Sequence, residues 1–301
     1  MKSPHDLITA TIIADSVSPE GKRMTTMEIE YPRFILAELN THRMLSKNSA
    51  SSRAIPVKAM HEHIRANTAS PVAWGKNQAG MQAKEVLDVE DTIEAFMLWE
   101  QARDNALEVS AALSELNLHK QIVNRVTEPW MIMKTVISGT EWKNFFWLRA
   151  HADAQPEIQV LAQKMRDAYV KSIPNKLQPG EWHLPYIKTD RNRNGRLLYL
   201  DQNNEPMTLV DARVVSASCC AQVSYRKNDD SLEKANKIFD QLIKSVPAHA
   251  SPIEHQATPM QPNMGFGELG VTHQARNMEY WSGNLRGWIQ FRKLVPQEAQ
   301  W

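Results

Sequence analysis

Residues 41–53 read Thr41-His42-Arg43-Met44-Leu45-Ser46-Lys47-Asn48-Ser49-Ala50-Ser51-Ser52-Arg53. Two arginines and a histidine stand there among several hydroxyl and amide side chains. Arginine forks match phosphate oxygens, and Ser or Asn side chains can add short hydrogen bonds. The stretch follows a predicted strand, and loops at strand ends often carry binding groups. Composition alone favours a solvated turn before a helix, so the binding interpretation depends on other segments.

Two extended segments precede this stretch. Residues 7–14 are rich in β-branched side chains, and residues 24–39 include an alternating piece before Pro32. Ser18-Pro19-Glu20-Gly21 lies between them and is typical of a turn. The pattern predicts two strands joined by that turn.

Helical periodicity dominates the middle of the chain. A long helix is predicted to begin at Asp91, with Glu94 at the capping-box spacing. Residues 57–80 are predicted to be irregular, and residues 209–223 mix β-branched with small residues. Further helices are predicted over residues 119–127, 141–147, 154–171 and 230–244.

The overall composition excludes several classes of protein. The 301 residues include 35 Lys plus Arg and 34 Asp plus Glu, so no global field attracts nucleic acid or a membrane. The N-terminus does not resemble a signal peptide, and no apolar run reaches the ~18 residues of a membrane span. The only cysteines, Cys219 and Cys220, are adjacent, which disfavours a disulfide. These features predict a cytoplasmic protein without membrane or nucleic-acid partners.

Two further segments carry polar groups in suggestive settings. Asn144 and Arg149 stand among Trp and Phe, which fits a ligand pocket but also an ordinary amphipathic helix. His249-Ala250-Ser251-Pro252-Ile253-Glu254-His255 has no common zinc spacing, so no metal site is predicted. Gly-rich dinucleotide loops, phosphate loops and nucleophile elbows are absent from the sequence.

Together these segments resemble the flavin-dependent thymidylate synthases. That family's signature is Arg-His-Arg-x-x-Ser-x-Asn-Glu-x-Ser-x-Arg. The matching residues here are His42, Arg43, Ser46, Asn48, Ser51 and Arg53. Other resemblances involve residues 144–149 with 154–158, residues 249–255, Val223-Ser224-Tyr225 at a strand end in the family, and, more loosely, residues 120–129.

The order of these motifs differs from the family. The Val-Ser-Tyr and His-x-Ser-Pro motifs precede the signature in the family but follow it here. We therefore expect a circularly permuted chain, a change that is tolerated when the original termini lie close together. One intertwined catalytic unit, residues 1–301, is expected. Its parts would be the signature loop and helices (1–175), a loop or hairpin excursion (176–208) and the permuted segment (209–301).

The resemblance implies a fold and an activity. The fold is an α+β unit with a mainly antiparallel sheet and long helices. The implied activity is FAD-dependent, folate-dependent one-carbon transfer to C5 of a deoxypyrimidine monophosphate, converting dUMP to dTMP as a flavin-dependent methyltransferase. Methylenetetrahydrofolate and NADPH are the co-substrates, and a homotetramer with shared active sites is expected.

The resemblance also implies residue roles. Arg149 would face the pyrimidine, and Ser51 would act as a hydrogen-bond donor rather than a nucleophile. The catalytic set is Arg149, Ser51 and Arg53. The cofactor-binding set is His42, Arg43, Ser46, Asn48, Asn144, Ser224, His249 and Ser251. The substrate-binding set is Glu38, Ser51, Arg53, Arg125 and Arg149.

Three positions depart from the family pattern. Thr41 replaces the first signature Arg, Ser49 replaces its Glu, and Glu38 stands where the family has Gln. Arg276, Arg286 or Arg292 could replace the missing cation. A carboxylate can accept from the amino group of cytosine. The alternatives are therefore a dUMP or dCMP hydroxymethylase using flavin and methylenetetrahydrofolate, or a non-catalytic nucleotide-binding relative.

Overall fold

The computed structural model describes residues 2–224, 230–243, 245–296 and 298. The α-helices are α1 Pro4–Leu7, α2 Leu36–Asn40, α3 Val57–Ala66, α4 Val89–Glu115, α5 Lys120–Val123, α6 Lys143–Arg149, α7 Pro156–Lys171, α8 Leu209–Ala221 and α9 Leu232–Ile243. Short 3-10 helices span Arg33–Ile35, Asn124–Trp130, Ser251–Glu254 and Phe291–Leu294.

Thirteen strands are formed by the described residues. They are β1 Thr9–Val17, β2 Arg23–Pro32, β3 Ser46–Ser49, β4 Ile132–Gly139, β5 Asn175–Lys176, β6 Lys188–Arg191, β7 Leu197–Leu200, β8 Pro206–Met207, β9 Ala257–Pro259, β10 His273–Gln274, β11 Tyr280–Ser282, β12 Leu285–Arg286 and β13 Trp288–Gln290.

The main sheet has the order β3-β4-β2-β1-β5. Its long pairs are antiparallel, and only the two-residue contact between β1 and β5 is parallel. The predicted turn joins β1 to β2, where Gly21 adopts a positive φ of 74° that suits glycine. The predicted α+β fold with a mainly antiparallel sheet and long helices is confirmed.

Helices α6 and α7 cover the sheet and enclose the main core. Ile158, Leu161 and Met165 of α7 are fully buried with Met27 and Ile29 of β2. Burial of such side chains supplies the dominant favourable free energy of folding, about 1.5–3 kcal/mol each. This core fixes the sheet edge that carries the signature residues.

Residues 176–208 contain the small antiparallel sheet β6-β7-β8. Gly195 and Asn204, with positive φ of 76° and 64°, lie in its two turns. Leu197 and Tyr199 pack in a second core that α8 and the C-terminal residues Leu285 and Trp288 share. The excursion therefore packs with the segment that follows it.

Several local predictions were wrong. Residues 57–66 form α3 rather than irregular chain, and the Met60 and Ile64 side chains of this helix are buried. The cap of α4 is Asp88, whose side chain accepts from the Asp91 amide, and not Asp91 itself. Residues 209–221 form α8. Residues 223–224, which match a strand end in the family, lie in a turn here. The 230–244 prediction is confirmed as α9 up to residue 243, and residue 244 lies outside the described residues.

Burial on all sides explains why periodicity did not predict α8. Residues 214–220, which include Ser216 and Ser218, are all buried, so this part of the helix is enclosed around its whole circumference. Such a segment lacks the one-sided periodicity that identifies a surface helix. Both cysteines lie within it and form no disulfide in the described part of the chain, and burial raises the pKa of Cys220.

Candidate active site

Residues 41–45 link α2 to β3 at the edge of the main sheet. The Thr41 hydroxyl donates to the Glu38 carbonyl, and the Leu45 amide donates to the His42 carbonyl. Pairing with β4 then fixes β3, with Ser46 opposite Ser138 and Ser49 opposite Thr135. The signature stretch is therefore a turn followed by a strand, which makes Ser46–Ser49 a rigid platform.

A side-chain hydrogen bond joins Arg149 of α6 to His42 of the signature stretch. Arg149 Nε lies 2.8 Å from His42 Nε2, and Arg149 Nη2 lies 3.1 Å from Thr41 Oγ1. The His42 ring packs edge-on against Phe145, with 4.9 Å between ring centroids. Burial, then the charges of Arg149 and Lys47, lower the pKa of His42 to about 4. A neutral His42 therefore accepts the hydrogen bond and orients the guanidinium.

Lys47 is an unusual cation in the first half of β3. Its Nζ donates to the carbonyls of His42 at 2.6 Å and Leu45 at 3.0 Å. Burial lowers the pKa of Lys47 to about 8, while the charge of Glu254 acts in the opposite direction. An ammonium has three donors, so one remains available for a ligand.

A cleft of about 380 Å³ opens beside these residues, and we call it the cationic cleft. Four cations and one carboxylate contribute to its walls. Its lining comprises Asn40, Arg43, Leu45, Ser46, Lys47, Glu254, Gly283, Asn284, Gln290, Arg292 and Lys293. Of the predicted cofactor-binding residues, Arg43 and Ser46 reach this cleft.

A second cavity, of about 560 Å³, lies at the other end of β3, and we call it the apolar pocket. Ala50 and Met60 contribute to its largely apolar wall, while Lys134 and Ser224 supply polar groups. The Ser224 hydroxyl accepts from the Ser51 amide at 2.9 Å, so these two residues, each predicted separately to belong to the site, are in direct contact. Tyr225, the third residue of that motif, lies outside the described residues.

Asn48 connects β3 to α8. Its side-chain amide donates to the Cys220 carbonyl at 3.0 Å. The signature strand and the segment after residue 209 therefore meet, despite their separation in sequence. Cys220 belongs to none of the resembled motifs, so this contact does not test the circular permutation, which stays a prediction.

The predicted substrate-binding arginines occupy different settings. Arg125 donates to Glu128 at 2.9 Å, and the Ser52 hydroxyl donates to the same carboxylate at 2.6 Å. Arg53 is exposed, and neither Arg53 nor Arg43 has an ion pair with the residues that the structure describes. Arg43 and Arg53 therefore keep their full donor capacity for a ligand.

The 249–255 segment contributes mainly through its second half. The 3-10 helix Ser251–Glu254 packs against β3, and Glu254 lines the cationic cleft. His249 and Ser251 are exposed, and in the described part of the chain no side-chain hydrogen bond joins either residue to the signature stretch. Asn144 is likewise exposed on α6. The roles predicted for these three residues stay predictions.

A buried hydrogen-bond chain runs beneath this turn. His183 bonds Ser16 at 2.9 Å and Thr26 at 2.8 Å, and Thr26 bonds Ser138 at 2.6 Å. Ser138 in turn bonds His255 Nδ1 at 2.8 Å. Burial lowers the pKa of His183 to about 4 and that of His255 to about 3. Both rings are therefore neutral at pH 7, and they anchor the turn to the sheet.

The three departures from the family pattern have local explanations. Thr41 accepts from Arg149, and Ser49 accepts from the Thr135 hydroxyl at 2.8 Å. One carboxylate oxygen of Glu38 is enclosed and has no hydrogen-bond partner among the described residues. Glu38 therefore presents an acceptor that the surrounding described residues do not satisfy.

Most residues of the cationic cleft had no role predicted from the sequence. Lys47 and Glu254 stood within quoted stretches without an assigned role, and Asn284, Gln290 and Lys293 were not singled out. Arg292 was one of three candidates for a replacement cation, whereas Arg286 is held between Glu141 and Glu279. Arg276 is not among the lining residues.

Within the described ranges, no group of three or more His, Cys, Asp or Glu side chains is arranged to hold a metal ion. No helix in that part of the chain is both long and apolar enough to cross a membrane.

The candidate site thus lies on an edge strand of an α+β protein, with the cationic cleft at one end and the largely apolar pocket at the other. The sequence model of the thymidylate synthase complementing protein family matches residues 6–175, and the chain belongs to this family. It is therefore a thymidylate synthase-like protein.

Solved structures of the UMP/dUMP methylase PolB from Streptomyces cacaoi are similar to part of the chain. The complex with 5-Br UMP is 17% identical, with a TM-score of 0.45, and covers 55% of this chain and 89% of its own. The complex with 5-Br dUMP is 15% identical, with a TM-score of 0.45, and the shares are 55% and 90%. Among curated proteins, no sequence matches the chain.

Proposed function

We propose that this protein is a methyltransferase that uses FAD and methylenetetrahydrofolate to transfer one carbon to C5 of dUMP, giving dTMP. The observation that carries the proposal is the Arg149–His42 hydrogen bond, together with family membership. It joins two separately predicted segments beside a strand whose ends open into complementary cavities. NADPH as reductant, a homotetramer and a cytoplasmic location belong to the same proposal.

The donor groups in the structure fit FAD. Arg43, Ser46 and Lys47 offer charge and hydrogen bonds for phosphate oxygens, and the apolar pocket is large enough for part of an aromatic ring system. FAD would supply the reducing electrons of the transfer, chemistry that no side chain provides. His42, Asn48, Asn144, Ser224, His249 and Ser251 complete the proposed cofactor set.

Arg149 is the proposed catalytic cation. Held by neutral His42, its guanidinium is preorganised, so it can stabilise negative charge that develops on a pyrimidine ring without reorganisation. Ser51, Arg53 and Arg125 would bind the sugar and phosphate of the nucleotide. Their positions around Ser52 and Glu128 support this assignment.

One observation favours a second candidate. The unpaired Glu38 oxygen is an acceptor, and cytosine has an amino donor where uracil has a carbonyl. Transfer to dCMP, or formation of a hydroxymethyl product from either nucleotide, is therefore the alternative. A non-catalytic nucleotide-binding relative would keep both cavities but yield no product.

An absorbance spectrum of the purified protein tests flavin binding, because oxidised flavin has two bands in the visible region. Incubation with methylenetetrahydrofolate, a reductant and either dUMP or dCMP, followed by mass analysis, then separates the products. A methyl adduct of dUMP supports the proposal. Absence of turnover in a flavin-loaded protein would contradict it.

Arg149→Ala provides the matched variant. We expect it to abolish turnover while the protein stays yellow, because Arg149 is proposed to face the pyrimidine and not the flavin. Arg193→Gln, in the exposed turn between β6 and β7, is the control and should keep full activity. A colourless Arg149→Ala protein would instead place Arg149 in the cofactor-binding set.

A further inference from the structure

The C-terminal part of the chain forms one side of the cationic cleft. Strand β13 pairs with β9, with Gln290 opposite Ala257. Gln290 Nε2 donates to the Glu254 carbonyl at 3.2 Å and to Asn284 Oδ1 at 3.0 Å. These bonds hold the residues that follow, Arg292 and Lys293, beside the signature loop. Both lie outside the family match at residues 6–175.

A hairpin turn strengthens this attachment. Asn284, between β11 and β12, exchanges hydrogen bonds with the Ser46 hydroxyl at 3.0–3.2 Å. Its side-chain amide also lies 3.1 Å from the Met44 carbonyl. The C-terminal segment is therefore fixed directly on the first residue of β3, and the cleft between them has defined walls.

The cations of the cleft are not neutralised by the carboxylates around them. Arg292 pairs with Glu254 through Nη1 and with Glu298 through Nε at 2.6 Å, which leaves Nη2 available. Lys293 shares Glu298. Among the described residues, Lys47 donates only to carbonyls and Arg43 makes no ion pair. The cleft therefore holds positive charge in excess of its partners.

We propose that the cationic cleft binds the phosphate group of a nucleotide, with Arg292 and Lys293 of the C-terminal segment completing the charge offered by Arg43 and Lys47. The choice of a nucleotide rests on the proposed function. The segment thereby supplies the cation that Thr41 does not provide in the signature loop. Charge-assisted hydrogen bonds from several cations are the usual way to hold phosphate.

Glu254 has a specific part in this arrangement. Its carboxylate pairs with Arg292 and lies in the cleft, so it occupies the place of an anion and competes with the ligand. Binding of phosphate transfers Arg292 from Glu254 to the ligand. Loss of charge at Glu254 should therefore favour the ligand, whereas loss of charge at Arg292 should disfavour it.

The experiment measures the binding of FAD, dUMP and inorganic pyrophosphate separately by calorimetry at low ionic strength. For Arg292→Gln we expect affinity for the bound phosphate compound to fall about tenfold or more. For Glu254→Gln we expect a rise of about threefold. Lys293→Gln, which leaves the Arg292–Glu254 pair intact, should weaken binding about threefold, and Arg193→Gln is the control.

The opposite changes in affinity expected for Arg292→Gln and Glu254→Gln distinguish a ligand site from a structural ion pair. If the Arg292–Glu254 pair were only structural, both variants would weaken binding to a similar extent, and the proposal would be overturned. Unchanged affinity for all three probes in folded Arg292→Gln would also overturn it. Selective loss of FAD and pyrophosphate binding identifies the cofactor's pyrophosphate as the ligand, and selective loss of dUMP binding identifies the monophosphate.

The two proposals can fail independently. If the wild-type protein binds FAD and forms dTMP but the cleft variants bind normally, the cleft proposal fails and the proposed function stands. If only pyrophosphate binds, in a manner that depends on Arg292, the phosphate site stands and the proposed function fails.

Discussion

His42 is the residue on which the electrostatics of the site depend. Its ring lies against Phe145 and accepts from Arg149, and Lys47 donates to its carbonyl. Burial and two nearby cations both disfavour the imidazolium form. A neutral histidine at this place can hold a guanidinium without repelling it, which a protonated ring could not.

This arrangement predicts the titration of His42. In Arg149→Ala, the pKa of His42 should rise from about 4 toward its ordinary value of about 6.5, because one of the causes of the shift is removed and the ring becomes more hydrated. Histidine ring resonances followed by NMR across pH 3–8 report the change. Arg125→Ala removes a cation that pairs with Glu128 and does not act on His42, so it should leave the titration unaltered. An unchanged pKa in Arg149→Ala would contradict the prediction and show that Arg149 does not contribute to the shift.

The lowered pKa of Lys47 predicts how ligand binding in the cationic cleft depends on pH. Its pKa of about 8 means that the cationic cleft loses a charge as pH rises through 8. A bound anion stabilises the ammonium, so affinity for FAD should fall between pH 7 and 9, by up to about tenfold. Calorimetric titrations at pH 7, 8 and 9 measure this. Lys47→Arg stays charged throughout and should flatten the profile, and a wild-type profile already flat would contradict the prediction.

At the scale of elements, the start of α4 shows what local pattern could and could not predict. Periodicity predicted the helix itself, but the predicted cap, Asp91, lies about one turn after the observed cap, Asp88. Asp88 and Asp91 are both good caps, three residues apart. Local sequence does not distinguish these two possible caps. In the structure Asp88 is the cap, and its side chain accepts from the Asp91 amide at 3.0 Å.

The choice of cap is measurable. Asp88→Ala should destabilise the first turn of α4 by about 1 kcal/mol, because the Asp91 amide loses its acceptor. Amide hydrogen exchange of residues 91 and 92 should then become about fivefold faster. Asp91→Ala removes no cap and should cost only a few tenths of a kcal/mol through the helix dipole. Equal effects of the two substitutions would contradict the observed cap.

Sequence motifs could predict only part of the candidate site. His42, Arg43 and Ser46 stand within one short stretch, so their closeness in space was visible in the motif. Arg292 and Lys293 carry no motif, and they reach the same cleft only because β13 pairs with β9. Long-range strand pairing has no signature in local periodicity, which is why the second wall of the cleft could not be derived before the fold was known.

At the scale of the whole molecule, the two buried histidines connect three separate regions. His183 comes from the 176–208 excursion, Thr26 and Ser138 from the main sheet, and His255 from the turn that holds Glu254. Each bond crosses between segments far apart in sequence. The fold therefore favours neutral imidazoles, because a protonated ring here would be a buried charge without a hydrogen-bonded carboxylate.

Acid should weaken the whole fold for this reason. Burial is the main cause that lowers the pKa of His183 to about 4 and of His255 to about 3, although nearby Asp15 acts in the opposite direction on His183. In the unfolded chain both rings take up protons near pH 6.5. Between pH 6.5 and about 4 the unfolded state therefore binds more protons, so stability falls as pH falls through this window.

From pH 7 to pH 5 the expected loss is about 2 kcal/mol for each of the two histidines. Urea unfolding at several pH values measures it. His183→Gln should reduce the loss by about 2 kcal/mol, whatever its effect on stability at pH 7, because one of the proton-linked groups is removed. His5→Gln, at an exposed position, should leave the pH dependence as in the wild type. A stability that stays constant from pH 7 to 5 would mean that these rings are not held neutral, and the anchor proposed for the Glu254 turn would lose its physical basis.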